Sequence, residues 1–322
     1  MTKRDIGILI AGKMMDMVED QVRAGFNAWQ AGTDGSLDEL VARHGGDIRG
    51  IATGGHFKVD AALIDRLPNL QIVSNFGVGY DTVDAAHAGS RGIYVTNTPD
   101  VLTEEVADTT LGLILMTVRE LPQTERYLRA GKWLDRPYPL TRATLRDRKV
   151  GILGLGRIGK AVARRLEAFG TPIAYHGRSR QADVDYEYHA TLKGLAEAVD
   201  ILVSIAPGGA DTHHLIGAEV LNALGPDGIV INIGRGSVVD EEALIAALRE
   251  KRILSAGLDV FEHEPKVPQA LIEMDQVVLL PHVGSASVHT RGLMGQLVVD
   301  NLTSWFDEGR PLTPVAETPF GK

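Results

Sequence analysis

The chain contains no cysteine. Disulfides, thiolate catalysis and cysteine-ligated metals are therefore excluded, and the absence agrees with the cytoplasmic location we expect. Basic residues form no long run, and the formal net charge is −9, so nucleic acid is not an expected partner. Long apolar runs are also missing. Residues 111–118 fall far short of a membrane span. Residues 6–10, which follow the charged Lys3, Arg4 and Asp5, are shorter than the core of a signal peptide. We expect no membrane partner. No cluster of His, Asp and Glu shows metal-ligand spacing, so no metal is expected.

What is abundant is glycine, with 36 residues among 322. Tight turns and close backbone approaches consume glycine, and dinucleotide-binding proteins need both. The length suits two domains rather than one. An acidic protein that handles anionic ligands must concentrate positive charge locally, which directs attention to single arginines in glycine-rich loops.

Short runs rich in Ile and Val alternate with helix-length segments, the rhythm of parallel sheets with helical crossovers. A first set of strands is expected at 6–10, 48–53, 70–75 and 93–96. Ser36 and Glu39 form a capping box for a helix that Gly45 ends. Pro99 marks a boundary, followed by a long helix at 103–121 and an irregular, arginine-rich stretch at 127–148 that reads as an arm or interface. A second set of strands is expected at 149–153, 172–176, 201–206, 229–233, 254–258 and 277–280. Helices are expected between them at 157–169, 192–199 and 241–251. A last helix, at 287–306, follows this complete doubly wound unit, and the tail is expected to pack back on the N-terminal domain. The fold class is α/β, with two Rossmann-like domains.

After the strand at 149–153 comes "GLGRIG". Gly154, Gly156 and Gly159 hold the G-x-G-x-x-G spacing, with Leu155, Arg157 and Ile158 between them. The first glycine permits the tight turn, the second a close approach to a pyrophosphate, and the third close helix–strand packing. The helix N-terminus supplies N–H groups for the phosphates. The next strand ends "YHGRSR". His176 stands where NAD-binding forms place an acid, and Arg178, Ser179 and Arg180 follow. Two guanidinium groups and a hydroxyl suit a 2′-phosphate, so the expected cofactor is NADP(H), with NAD(H) as the alternative and a solvated basic loop as the bland reading. Three later strand ends each carry one chemically able side chain. Arg235 can clamp a carboxylate, His282 can donate or accept a proton, and Glu264 can orient the imidazole.

These motifs, with "GLDVFEHEP", "PHVGSA", "SNFGVGYDTVD" and "TNTPDVLTEEVAD", resemble the D-isomer-specific 2-hydroxyacid dehydrogenase family over essentially the whole chain. The loop after "YHG" is most similar to its NADPH-preferring glyoxylate/hydroxypyruvate reductases. The resemblance implies a flavodoxin-like substrate domain at 1–99 and 286–322 and an NAD(P)-binding domain at 100–285. It also implies a homodimer whose interface buries an arm at about 100–148. Arg235, Glu264 and His282 would be catalytic. Ile233 and Asp259 would line the nicotinamide end, Asp259 at the carboxamide. Val78 and Gly79 would receive the substrate carboxylate on backbone N–H groups, and Trp133 would reach the neighbouring subunit's site. Loops near 53–57 and 76–80 would line the pocket, with Phe76 and Tyr80 as either lining or core aromatics. The implied reaction is reduction of a small 2-keto acid. Phosphoglycerate dehydrogenase and a nucleotide-sensing corepressor-like protein remain as alternatives.

Overall fold

The computed structural model describes residues 3–55 and 57–321. The chain divides into two compact units: residues 1–102 with 287–322, and residues 103–286.

Unit 1 opens with β1 (Gly7–Ala11), α1 (Asp16–Gly25), β2 (Asn27–Gln30), α2 (Leu37–His44) and β3 (Ile48–Gly54). It continues with α3 (Ala61–Asp65), β4 (Ile72–Phe76), α4 (Ala85–Ser90) and β5 (Tyr94–Thr96). The strands pair in parallel in the order β2-β1-β3-β4-β5, which is the flavodoxin-like order. Ser36 and Glu39 form the capping box of α2 as expected. Gly45 caps its C-terminus in right-handed geometry (φ −54°), so its freedom to turn left-handed is not what ends the helix. Two features escape the pattern of the sequence. β2 is an edge strand whose residues are mostly half-exposed, so it has no apolar run. α1 buries only Val18 and Val22 and lacks a side-chain cap.

The chain leaves unit 1 after Leu102 rather than at Pro99. Unit 2 begins with α5 (Thr103–Val118), which buries Val106, Leu111, Leu113 and Ile114 among others. The single helix expected to reach residue 121 instead ends early. Glu120 takes a left-handed conformation (φ 52°), and a new helix, α6 (Leu121–Arg129), starts with Pro122 in its first turn. Proline suits a first turn and cannot continue a preceding helix. The stretch 127–148 is therefore helical to Arg129, with a further 3₁₀ turn at Lys132–Leu134.

The doubly wound part comprises β6 (Val150–Leu153), α7 (Arg157–Ala168), β7 (Ile173–His176), β8 (Glu187–Tyr188) and α8 (Leu192–Glu197). It then runs through β9 (Ile201–Ser204), α9 (Ala218–Leu224), β10 (Ile229–Asn232), α10 (Glu241–Arg249), β11 (Ser255–Leu258), α11 (Gln269–Ile272) and β12 (Val277–Leu279). All pairs are parallel in the order β12-β11-β10-β9-β6-β7-β8. The order reverses beside β6, between β7 and β9, which is the switch point where open α/β sheets bind ligands. The chain returns to unit 1 as α12 (Val288–Glu308), capped by Ser287, and packs on β4 and α1. Its Val298 and Leu302 are buried with Ile8, Ile10 and Ile72, while a second cluster fills the other face of the sheet. No helix among the described residues is long and apolar enough to cross a membrane.

Candidate active site

At the switch point, Gly154 follows β6 with φ +96°, a conformation that side chains resist. A Cβ on Gly159 would lie 2.3 Å from the carbonyl oxygen of Gly154, so only glycine lets α7 start this close to the strand. Gly156 faces open space, and no side chain caps the N-terminus of α7. Leu155 is buried, Ile158 half-buried and Arg157 exposed. This is a turn that offers helix N–H groups and room to an anion, and it fits a dinucleotide pyrophosphate. Gln181 straps the turn from above, its Nε2 donating to Leu155 O at 2.7 Å. Nothing in the sequence pattern singled out that glutamine.

His176 ends β7 half-buried, with Nδ1 2.8 Å from His189 O. It is built into the loop, and no carboxylate replaces it there. Arg178, Ser179 and Arg180 are exposed. Neither arginine pairs with any described residue, so both guanidinium groups are available to a phosphate.

Three strand ends then converge. Asp259 follows β11 and is 1% exposed. Its Oδ1 accepts from Val283 N at 2.7 Å and its Oδ2 from Gly284 N at 2.9 Å. Its carbonyl accepts from His282 N at 2.8 Å. Burial pushes the Asp259 carboxyl up, against the opposing pull of these N–H groups and of His282. The resemblance assigned Asp259 to the cofactor; here its carboxylate holds the loop after β12. In that loop His282 takes φ +52°, and its Nδ1 lies 2.7 Å from Glu264 Oε2. The other carboxylate oxygen of Glu264 accepts from Phe261 N at 2.9 Å. Glu264 is thus held at both oxygens. Facing a carboxylate, Nδ1 is the protonated nitrogen, and Nε2 bonds to no described residue. The Glu264 side chain is 12% exposed and that of His282 43%.

Arg235 follows β10, half-buried, with Nη1 donating to Gly234 O at 3.0 Å. Asn232 fixes this loop by donating to Arg235 O at 2.9 Å. A Cβ on Gly236 would sit 1.9 Å from the carbonyl carbon of Phe261. The arginine loop and the Glu264 loop therefore touch backbone to backbone. Ile233 is buried at the same edge. Trp133 stands in the arm, 66% exposed, away from any core cluster.

Unit 1 carries the loop expected to receive a carboxylate. In the loop after β4, every carbonyl from 77 to 79 is occupied. Gly77 O accepts from Thr98 N, Val78 O from Asn97 Nδ2 at 2.8 Å, and Gly79 O from Asn75 Nδ2 at 3.1 Å. The N–H groups of Val78 and Gly79 donate to no described residue. Two asparagines thus hold the carbonyls of this loop and leave two successive N–H groups without a described partner, which is what a backbone nest requires. Both Phe76 and Tyr80 pack against core clusters. Residue 56, in the other expected pocket loop, lies outside the described residues. A cavity of about 810 Å³ in unit 2 lies at the opposite end of the strands, against Ile229, Ser255 and Gln276. Ligands of open α/β sheets bind at the carboxyl ends, so this cavity is not the candidate site.

Comparisons with known proteins show the family. Residues 111–284 match the family model "D-isomer specific 2-hydroxyacid dehydrogenase, NAD binding domain". The chain is 46% identical to glyoxylate/hydroxypyruvate reductase A HPR2 of Arabidopsis thaliana, over 96% of this chain and 99% of that one. It is also 46% identical to hydroxyphenylpyruvate reductase of Plectranthus scutellarioides, with the same coverage. Among solved structures it is similar to the NADPH-dependent glyoxylate/hydroxypyruvate reductase of Sinorhizobium meliloti in complex with NADP and malonate. That match has a TM-score of 0.94 and 54% identity over 98% of both chains.

The nest yields a prediction about pH. Tyr80 OH donates to Glu317 Oε2 at 2.9 Å, beside the loop at 77–79. Burial, reinforced by this carboxylate, pushes the phenol up to about 12. A raised phenol stabilises the fold below its unfolded value of about 10 and loses that contribution as pH rises through the folded value. The stability gap between wild type and Tyr80→Phe, measured by denaturant unfolding, should be constant below pH ~10 and narrow toward pH ~12. A gap independent of alkaline pH would remove the pairing.

Proposed function

The chain belongs to the D-isomer-specific 2-hydroxyacid dehydrogenase family, and from that premise we propose that it reduces glyoxylate to the achiral 2-hydroxy acid and hydroxypyruvate to the D-2-hydroxy acid with NADPH. The observation that carries this reading is the His282–Glu264 pair at 2.7 Å, set at the strand ends of the unit that holds the glycine turn. NADPH, when bound, supplies the hydride for C2 of the keto acid. His282 donates the proton to the carbonyl oxygen from Nε2, and Glu264 steadies the imidazolium through Nδ1. Arg235 grips the carboxylate and polarises the carbonyl. Within unit 1, the N–H groups of Val78 and Gly79, which meet no described partner, are suited to a carboxylate. Gly154, Gly156, Gly159 and the intervening Leu155, Arg157 and Ile158 hold the pyrophosphate, and Arg178, Ser179 and Arg180 the 2′-phosphate. Ile233 and Asp259 face the nicotinamide, Asp259 through the lone pairs that its two backbone bonds leave free.

The relative that reduces hydroxyphenylpyruvate matches this chain as well as the glyoxylate/hydroxypyruvate reductase does, which supports an aromatic keto acid as the second reading. A substrate panel followed by NADPH oxidation separates them. We expect the highest kcat/KM with glyoxylate or hydroxypyruvate. A maximum with hydroxyphenylpyruvate assigns the second reading, and no turnover with any 2-keto acid rejects both.

The assembly follows from the arm. α6 buries no residue, and Leu128, Trp133, Leu134 and Leu140 are exposed, the last two at 93% and 97%. Apolar side chains gathered on one segment mark an interaction surface, and we assign it to a second copy of this chain, with Trp133 reaching the neighbouring subunit's site. Sedimentation should give twice the 34.7 kDa chain mass. A monomer at assay concentration would refute the assignment.

Cofactor choice rests on the free arginines. A hydrogen bond to a charged group contributes roughly 1.5–3 kcal/mol, and each ~1.4 kcal/mol is a factor of ten. Two exposed contacts, discounted for solvent, should favour NADPH over NADH by about 10- to 1000-fold in kcat/KM. The double variant Arg178→Ala/Arg180→Ala should lose most of that preference and keep its NADH turnover. Equal use of both cofactors by the wild type would contradict this.

A further inference from the structure

His213, His214 and Glu262 lie outside the chemistry described so far. The two histidines are adjacent in sequence, where an extended chain would send them to opposite sides. His214 instead takes a left-handed conformation (φ +54°), and the two imidazoles stack with centroids 3.8 Å apart. Both then face a single carboxylate oxygen. Glu262 Oε1 is 2.8 Å from His214 Nε2 and 3.8 Å from His213 Nε2. One ligand atom from each residue falls within 4.8 Å of the others.

The backbones that carry these groups are fixed independently of them. His214 N donates to Ser237 O at 2.8 Å, and Glu262 N donates to Glu241 Oε1 at 2.9 Å. Left-handed backbone at a non-glycine residue is strained, and it persists only where the surroundings impose it. Here the strain brings two imidazole nitrogens and one carboxylate oxygen together.

We infer that His213, His214 and Glu262 form a binding site for one divalent ion of the zinc class. Zinc binds imidazole nitrogen at about 2.0–2.1 Å and carboxylate oxygen at about 2.0–2.2 Å, so tetrahedral ligand atoms stand about 3.4 Å apart. The separations of 2.8 and 3.8 Å bracket that value, and small rotations of half-exposed side chains bring both to it. Two imidazoles and one carboxylate select zinc, cobalt or nickel over magnesium and calcium, which prefer all-oxygen sites. With three protein ligands, water completes the coordination. The ion would tie the loop between β9 and α9 to the loop that carries Glu264. Spacing in the sequence could not reveal this site, because His214 and Glu262 are 48 residues apart.

The test is calorimetric titration of the full, tag-free, chelator-treated chain with zinc chloride. We expect one equivalent bound, with magnesium chloride unable to compete at the same concentration. His213→Ala and Glu262→Gln should each weaken binding by at least the ~10–100-fold that losing even an outer partner of a metal site costs. His87→Ala, which removes a histidine paired with Asp65 in unit 1, should leave it unchanged. Retained NADPH binding shows that a variant is folded. Absence of saturable zinc binding, or equal binding by all variants, would overturn the inference and leave a hydrogen-bonded pair that pins two loops.

Discussion

Asp259 carries a carboxylate into a position with 1% exposure, and three hydrogen bonds from one short loop end on this residue. A buried charge without partners costs several kcal/mol. Hydrogen bonds to a charged group each return roughly 1.5–3 kcal/mol, so the fold tolerates the carboxylate only while Val283 and Gly284 face it. That requirement sets the path of the loop after β12. His282 is forced to φ +52° at its start, and its imidazole then meets Glu264. Gly236 brings the arginine-bearing loop into backbone contact with the same segment. The positions of Arg235, Glu264 and His282 trace back to this packing.

A chain with net charge −9 attracts no anion by its overall field, so affinity must be local. In unit 1 the carbonyls at 77–79 are tied down by Asn75, Asn97 and Thr98, while the N–H groups of Val78 and Gly79 meet no described partner. Unit 2 offers the uncapped N-terminus of α7 and two arginines that pair with no described residue. Backbone donors are already oriented in the folded chain and need no side chain to be immobilised.

Strands of buried Ile and Val, the capping box at Ser36 and the glycine spacing were legible in the sequence, because each expresses a local rule. The edge strand β2, the sparsely apolar α1 and the two-residue β8 were not, since they bury too little to leave a pattern. The break between α5 and α6 hung on one left-handed residue ahead of Pro122. Arg235, Glu264 and His282 could be named because each ends a strand of one unit. The supports beneath them could not. Asp259 reaches its partners across 24 and 25 residues, and Asn97 reaches Val78 across 19. Only the register of the folded sheet reveals such pairs.

The central claim is that a carboxylate fixed at both oxygens supports the proton-donating imidazole. The most direct measurement is kcat for keto-acid reduction by Glu264→Gln, which keeps the side-chain length and removes the charge. It should fall, by up to the roughly 10²–10⁴-fold that general acid–base catalysis contributes, because the imidazole has lost its anion at 2.7 Å, while NADPH affinity is unchanged. A kcat equal to that of the wild type would contradict it.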